Sequence, residues 1–174
     1  LFRSDGADRL YGATGTDTLS GEAGADLLYG GDGDDLLSGG ADNDKLYGEA
    51  GNDVLNSGAG LKDVMTGGPG NDVFVLDAAD FTAGVTTSEH IADYALGADS
   101  IRFYGFSATA LGDFAARDTS LGARLTLGPA NYLYLANMTV AQISAVSATF
   151  TSGPAPASPP ADHPDAASAT LAGA

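Results

Sequence analysis

The sequence predicts an all-β chain, a right-handed parallel β-roll of nonapeptide repeats followed by a β-rich C-terminal capping segment. Three observations carry that prediction. A nine-residue unit recurs eight times through residues 3–75, with an aspartate at its sixth position and a large apolar residue at its eighth. Alternate units are 18 residues apart, the length of one coil made of two turns and two strands. Beyond residue 76 the glycine period vanishes and longer strand-like runs replace it.

The repeat segment comes first. Its units are 3–11, 12–20, 21–29, 30–38, 39–47, 48–56, 57–66 and 67–75, the best formed being GGDGDDLLS at 30–38. Glycines at positions one, two and four allow backbone angles that a Cβ hinders, so the first six residues are expected to turn and the last three to form a very short strand. Units two apart then stack at the strand spacing of about 4.8 Å. The eighth-position residues, Leu10, Leu19, Leu28, Leu37, Leu46, Leu55, Met65 and Phe74, point inward as a thin apolar core. Position nine places Tyr11, Tyr29 and Tyr47 on one face and Ser20, Ser38 and Asn56 on the other.

So thin a core leaves turn carbonyls and carboxylates facing one another. The chain has a formal charge of -16, and 15 of its 23 acidic residues precede Ala78, against four Lys and Arg. Such a segment repels itself unless cations intervene. Nucleic acid, which needs a basic surface, is not an expected partner, and no apolar run is long enough to span a bilayer. Oxygen-lined gaps between turns suit calcium, which takes six to eight oxygen ligands at about 2.3–2.6 Å in adaptable geometry. With no Cys and two His, zinc has few candidate ligands. The 18-residue step puts Asp8, Asp26, Asp44 and Asp63 on one side of the roll and Asp17, Asp35, Asp53 and Asp72 on the other. A merely loop-rich acidic stretch would not hold phase over eight units, and a metal-free solenoid would not need the sixth-position aspartate each time.

The pattern Gly-Gly-x-Gly-x-Asp-x-apolar-x resembles the nonapeptide calcium repeats of RTX proteins. That resemblance implies ions bound by carbonyls of positions two and four and the aspartate of one turn, with carbonyls of positions one and three and the aspartate of the turn two units on. It implies a site of Gly31, Gly33, Asp35, Gly48, Ala50 and Asp53. A second is Ala13, Gly15, Asp17, Gly30, Asp32 and Asp35, and a third Glu22, Gly24, Asp26, Gly39, Ala41 and Asp44, with Gly51 among the further ligand positions. Full occupancy is about six ions. Three departures stand out: Asp42 at a fourth position, Lys62 as an inserted residue that displaces Asp63, and Arg3-Ser4 in place of the first glycine pair. Side chains at the second positions, Ala13, Glu22 and Glu49, are expected to matter little if only their carbonyls are used.

After the roll, strands are expected at 73–76, 89–94, 100–104, 123–127 and 132–135, with a helical turn at 139–144 that Thr139 starts. Phe106, Ala110, Leu111 and Phe114 recur at helical spacing, weakened by Gly112. This segment, 76–150, caps the open end of the stack. The stretches around Asp93-Tyr94 and Asn137-Met138 are also similar to the region that follows the repeats in RTX proteins. Residues 151–174, rich in Pro, Ala and Ser, are expected to form a flexible tail.

No catalytic constellation is evident. His90, beside Glu89 and Asp93, reads as a surface histidine, and the Asp34-Asp35 pair is explained by its place in the period. The expected function is therefore a non-catalytic, calcium-binding module. The resemblance implies a bacterial protein secreted to the cell exterior or surface by a type I apparatus, with an upstream partner domain. Polysaccharide binding through the tyrosine face is the alternative. The start at Leu1 reads as a segment of something longer.

Overall fold

The computed structural model describes residues 4–81, 86–106, 114–151 and 170–171. The tail expected at 151–174, the spacing built on Ala110 and Leu111, and His163 lie outside them, apart from Thr151 and the pair 170–171. Two sheets face each other, and successive repeats alternate between them. One sheet holds β1 (Ser4–Asp5), β3 (Thr18–Ala23), β5 (Leu36–Ala41), β7 (Val54–Ala59) and β9 (Val73–Asp77). The other holds β2 (Arg9–Thr14), β4 (Leu27–Asp32), β6 (Lys45–Ala50) and β8 (Val64–Thr66). All pair in parallel with the strand two units away, Leu19 with Leu37 and Leu28 with Leu46. This is a parallel β-roll.

The eight core residues of the repeats are at most 1% exposed. Strand alternation follows from that burial, because each inward Leu is flanked by outward neighbours in a pleat of period two.

The strands differ from expectation in length. Each full strand has six residues, positions seven to nine and then one to three of the next unit, so the turn shrinks to positions four to six. Pairing continues through the glycines, as in Glu22 with Gly40 and Ala23 with Ala41. The chain bends there through positive φ at position two, including Ala13 (83°), Glu22 (74°) and Glu49 (73°). The second-position side chains are thus not incidental: a non-glycine residue in this region costs on the order of 1–3 kcal/mol.

The cap extends the same two sheets. On the β9 sheet follow β11 (Ser100–Tyr104) and β15 (Ser147–Thr151); on the β8 sheet follow β10 (Thr87–Ile91), β14 (Asn131–Leu135), β13 (Gly122–Thr126) and β12 (Ala115–Thr119). At the opposite edge β16 (Thr170–Leu171) pairs antiparallel with β2. The five expected cap strands are present with shifted ends, while β12 and β15 carried too little apolar alternation to be read. The 3₁₀ turn Val140–Ala145 follows Thr139, whose N–H and hydroxyl both donate to the Gln142 side chain. Phe103, Phe106, Phe114 and Phe150 gather in an aromatic cluster that continues the leucine core.

Candidate metal centre

Stacking at 18 residues turns the sixth-position aspartates into two ladders. In each step one carboxylate oxygen, Oδ1, accepts the backbone N–H of the aspartate one coil earlier, at 2.8–2.9 Å. One ladder runs from Asp8 to Asp26, Asp44 and Asp63. The other runs from Asp17 to Asp35, Asp53 and Asp72. The seven from Asp17 onward are at most 2% exposed. The second oxygens, Oδ2, of Asp26, Asp35, Asp44, Asp53 and Asp72 are buried and have no hydrogen-bond partner.

These oxygens point at the position-one glycines. A Cβ placed on Gly30 would collide with Asp35 Oδ2 and sit 2.6 Å from the Gly48 carbonyl; on Gly21 it would meet Asp26 Oδ2 and the Gly39 carbonyl. The same pairing recurs at Gly12 with Asp17 and Gly30, at Gly39 with Asp44 and Ser57, and at Gly48 with Asp53 and Gly67. Position-one glycines lack positive φ, unlike Gly31, Gly40, Gly58 and Gly68 at position two and Gly15, Gly24, Gly33 and Gly51 at position four. Space, not backbone angle, requires glycine there.

Each of the three expected ligand sets is brought together in part. For the set around Asp35, its Oδ2 and the Gly48 carbonyl converge, Asp53 Oδ1 receives the Asp35 N–H, and the Ala50 carbonyl accepts from the Gly33 N–H at 2.7 Å. The Asp17 and Asp26 sets repeat this, with Asp32 accepting from Gly15 and Ala41 from Gly24. Among the described residues no group of three or more acidic or histidine side chains gathers to hold a metal. Nearest a Cβ placed on each of Gly12, Gly21, Gly30, Gly39 and Gly48 lie one carboxylate oxygen and one carbonyl oxygen.

An unpartnered buried carboxylate is costly. Burial first, and then neighbouring carboxylates, push Asp44 up to about 8, Asp53 to about 7, and Asp35 and Asp72 to about 6, against the opposing pull of the ladder N–H bonds. Asp26 shifts the same way for the same first cause. The cradles therefore fit a hard divalent cation: oxygen-only, anionic, and sized so that a methyl group fills them.

The irregular unit is different. Ser57 takes position one and donates to Glu89 Oε2 at 3.0 Å, while both oxygens of Asp63 turn toward Gly60 and the Asp42 carbonyl. Inserted Lys62 bulges out, its N–H and that of Leu61 held by Asn43 Oδ1, so the Asp44–Asp63 step survives. Burial, and next the Asp63 charge, raise the Glu89 carboxyl.

Three acidic residues of the cap, not foreseen as site residues, finish the ladders. Asp99 accepts from the Asp72 N–H with one oxygen and from Ala95 with the other. Asp93 receives the N–H groups of Gly67 and Gly68, and Glu89 lies near Asp63. Their spacing, 27 residues from Asp72 to Asp99, breaks the 18-residue period, so nothing in the sequence pattern marked them.

Tyr11, Tyr29 and Tyr47 stack with ring centres 5.0 Å apart, interplanar angles 3° and 11°, so their faces cover one another. His90 is half-buried against Tyr134 at 4.6 Å.

Comparison with known proteins gives one family, the RTX calcium-binding nonapeptide repeat (4 copies), matched at residues 3–37, 29–60 and 62–80. No curated protein sequence matches the chain. Among solved structures, the extracellular lipase LipA from Serratia marcescens is similar over 85% of this chain and 39% of its own, at 16% identity and TM-score 0.45. The chain thus spans about two fifths of that lipase. The solution structure of the AlgE6R3 subunit from the Azotobacter vinelandii mannuronan C5-epimerase is similar over 84% of this chain and 78% of its own, at 24% identity and TM-score 0.48.

Proposed function

The segment 3–80 belongs to the RTX calcium-binding nonapeptide repeats, and from that premise we propose that the chain is a calcium-dependent structural module of a larger secreted bacterial protein. RTX repeats bind calcium. The observation that carries the reading is the row of buried aspartate oxygens without hydrogen-bond partners at Asp26, Asp35, Asp44 and Asp53, each beside a carbonyl and a glycine that leaves room for an ion.

Five cradles set an aspartate Oδ2 beside a carbonyl of the next coil, at Gly12, Gly21, Gly30, Gly39 and Gly48. We assign one ion to each, held by the aspartate five residues on, the position-one carbonyl one coil later, and the carbonyls of positions two and four. The sixth expected slot is dropped. At Gly67 the three atoms nearest an added Cβ all belong to Asp72, and at Ser57 a side chain fills the place. Bound calcium supplies the positive charge that lets these carboxylates stay ionised while buried.

Folding then follows calcium. In a calcium-poor cytoplasm the ladder carboxylates repel and the chain stays open for a type I apparatus; outside the cell the roll closes and braces the domain attached to it. No catalytic role is assigned to this chain. Far-ultraviolet circular dichroism at pH 8 tests this reading, with calcium, magnesium or chelator. Strand signal appearing with calcium and not with magnesium is expected, and full strand signal in chelator contradicts it.

A further inference from the structure

The cations of this acidic chain are sorted onto one face. Following the pairing across the nine-stranded sheet, Arg9 lies beside Leu27, Lys45, Val64, His90, Tyr134, Arg124 and Arg117 in a single row. From Arg9 to Arg124 each row member alternates with a buried neighbour such as Leu10, Leu46, Ile91 or Leu125, so the row faces outward, and Arg117 at its end is itself exposed. Of the six described Lys and Arg, four stand in it, Lys62 adjoins His90, and Arg102 alone faces out from the other sheet.

Two details set the cap end of the row apart. Arg117 and Arg124 are directly opposite across an antiparallel pair, a like-charge placement that costs stability by itself. Neither is ion-paired among the described residues; Arg124 lies 4.4 Å over the Tyr132 ring, and its Nε is buried without a hydrogen-bond partner. Asp118, the nearest carboxylate in sequence, accepts from the Val140 N–H on the other side of β12. His90 is held toward its neutral form by burial and by Lys62.

We propose that this face binds an acidic polysaccharide laid across the strands, its carboxylates on Arg117 and Arg124 and further along on Lys45 and Arg9. The row is roughly 34 Å long, seven strand spacings. Lys45 and Arg9 are two strands apart, about 10 Å, a separation suited to charges on every second sugar of an extended chain. Of the Tyr11, Tyr29 and Tyr47 rings beside the row, Tyr29 has both faces covered and Tyr11 and Tyr47 have one each covered by the stack. Recognition is therefore chiefly by charge and hydroxyl groups, since most ring faces are taken up by the stack. A thread-like polyanion fits better than a membrane, since exposed Asp32 and Glu49 edge the face and an anionic plane would press on them. Nucleic acid, with far denser charge, is disfavoured by the net charge of -16.

This inference needs a folded roll and is independent of how many ions the roll holds. The test uses the full chain in saturating calcium, its fold checked by circular dichroism, with a fluorescent hyaluronate oligosaccharide whose carboxylates stand on every second sugar. Binding that weakens about tenfold or more in Arg117→Gln/Arg124→Gln, less in Lys45→Gln and not in Arg102→Gln supports it. The double variant removes a repulsion, so its thermal midpoint should not fall. Absence of hyaluronate binding by the folded chain, an equal loss in Arg102→Gln, or tighter binding to duplex DNA or phosphatidylserine vesicles overturns it.

Discussion

At the scale of single residues, the same amino acid serves two separable purposes in the repeat. Gly30 has ordinary φ but borders the cradle of Asp35 and Gly48, whereas Gly15 has φ 108° with nothing within reach of an added Cβ. Gly30→Ala is therefore expected to remove one calcium per chain, counted by metal analysis, while Gly15→Ala should keep every ion and lower stability by roughly 1–2 kcal/mol through backbone strain alone. Equal ion counts in the two variants would refute the distinction. Conversely, Glu49→Gly relieves φ 73° and should raise the thermal midpoint in calcium, a gain of roughly 0.5–1 kcal/mol.

The ladders, each a stack of turns, act as units and set the pH response. The carboxyls of Asp44, Asp53, Asp35 and Asp72 are raised from 3.8 to about 8, 7, 6 and 6, chiefly by burial. A folded-state value above the unfolded one means that protonation favours the fold. Their contribution to the calcium-free roll is complete below about pH 4 and is lost as pH rises through roughly 6–8. Metal-free protein should thus show more strand signal at pH 5 than at pH 8, and calcium affinity should rise over the same window because ions displace those protons. A flat profile in calcium-free buffer would count against the buried ladders. The thin core behaves likewise as a stack: Leu37→Ala, at a fully buried site, should cost about 2–5 kcal/mol in a calcium-saturated thermal melt.

Across the whole molecule, what repeats was legible and what happens once was not. Period and phase placed all eight inward residues and both aspartate ladders, because stacking copies one local solution at every coil. The six-residue strands were missed since glycine pairs read as turn, although parallel pairing carries through them at positive φ. The endings were illegible for a different reason: Asp93, Asp99 and Glu89 satisfy the last turns through contacts unique to the cap. Asp99→Ala should fray the last coil, seen as faster amide exchange at Asp72 and its neighbours with the first coils unchanged. Coherence of the whole roll rests on cations held between stacked acidic turns. Counting the calcium bound to the folded chain by native mass spectrometry tests that most directly. Five ions are predicted, four in Gly30→Ala; a folded chain that binds none would contradict the account.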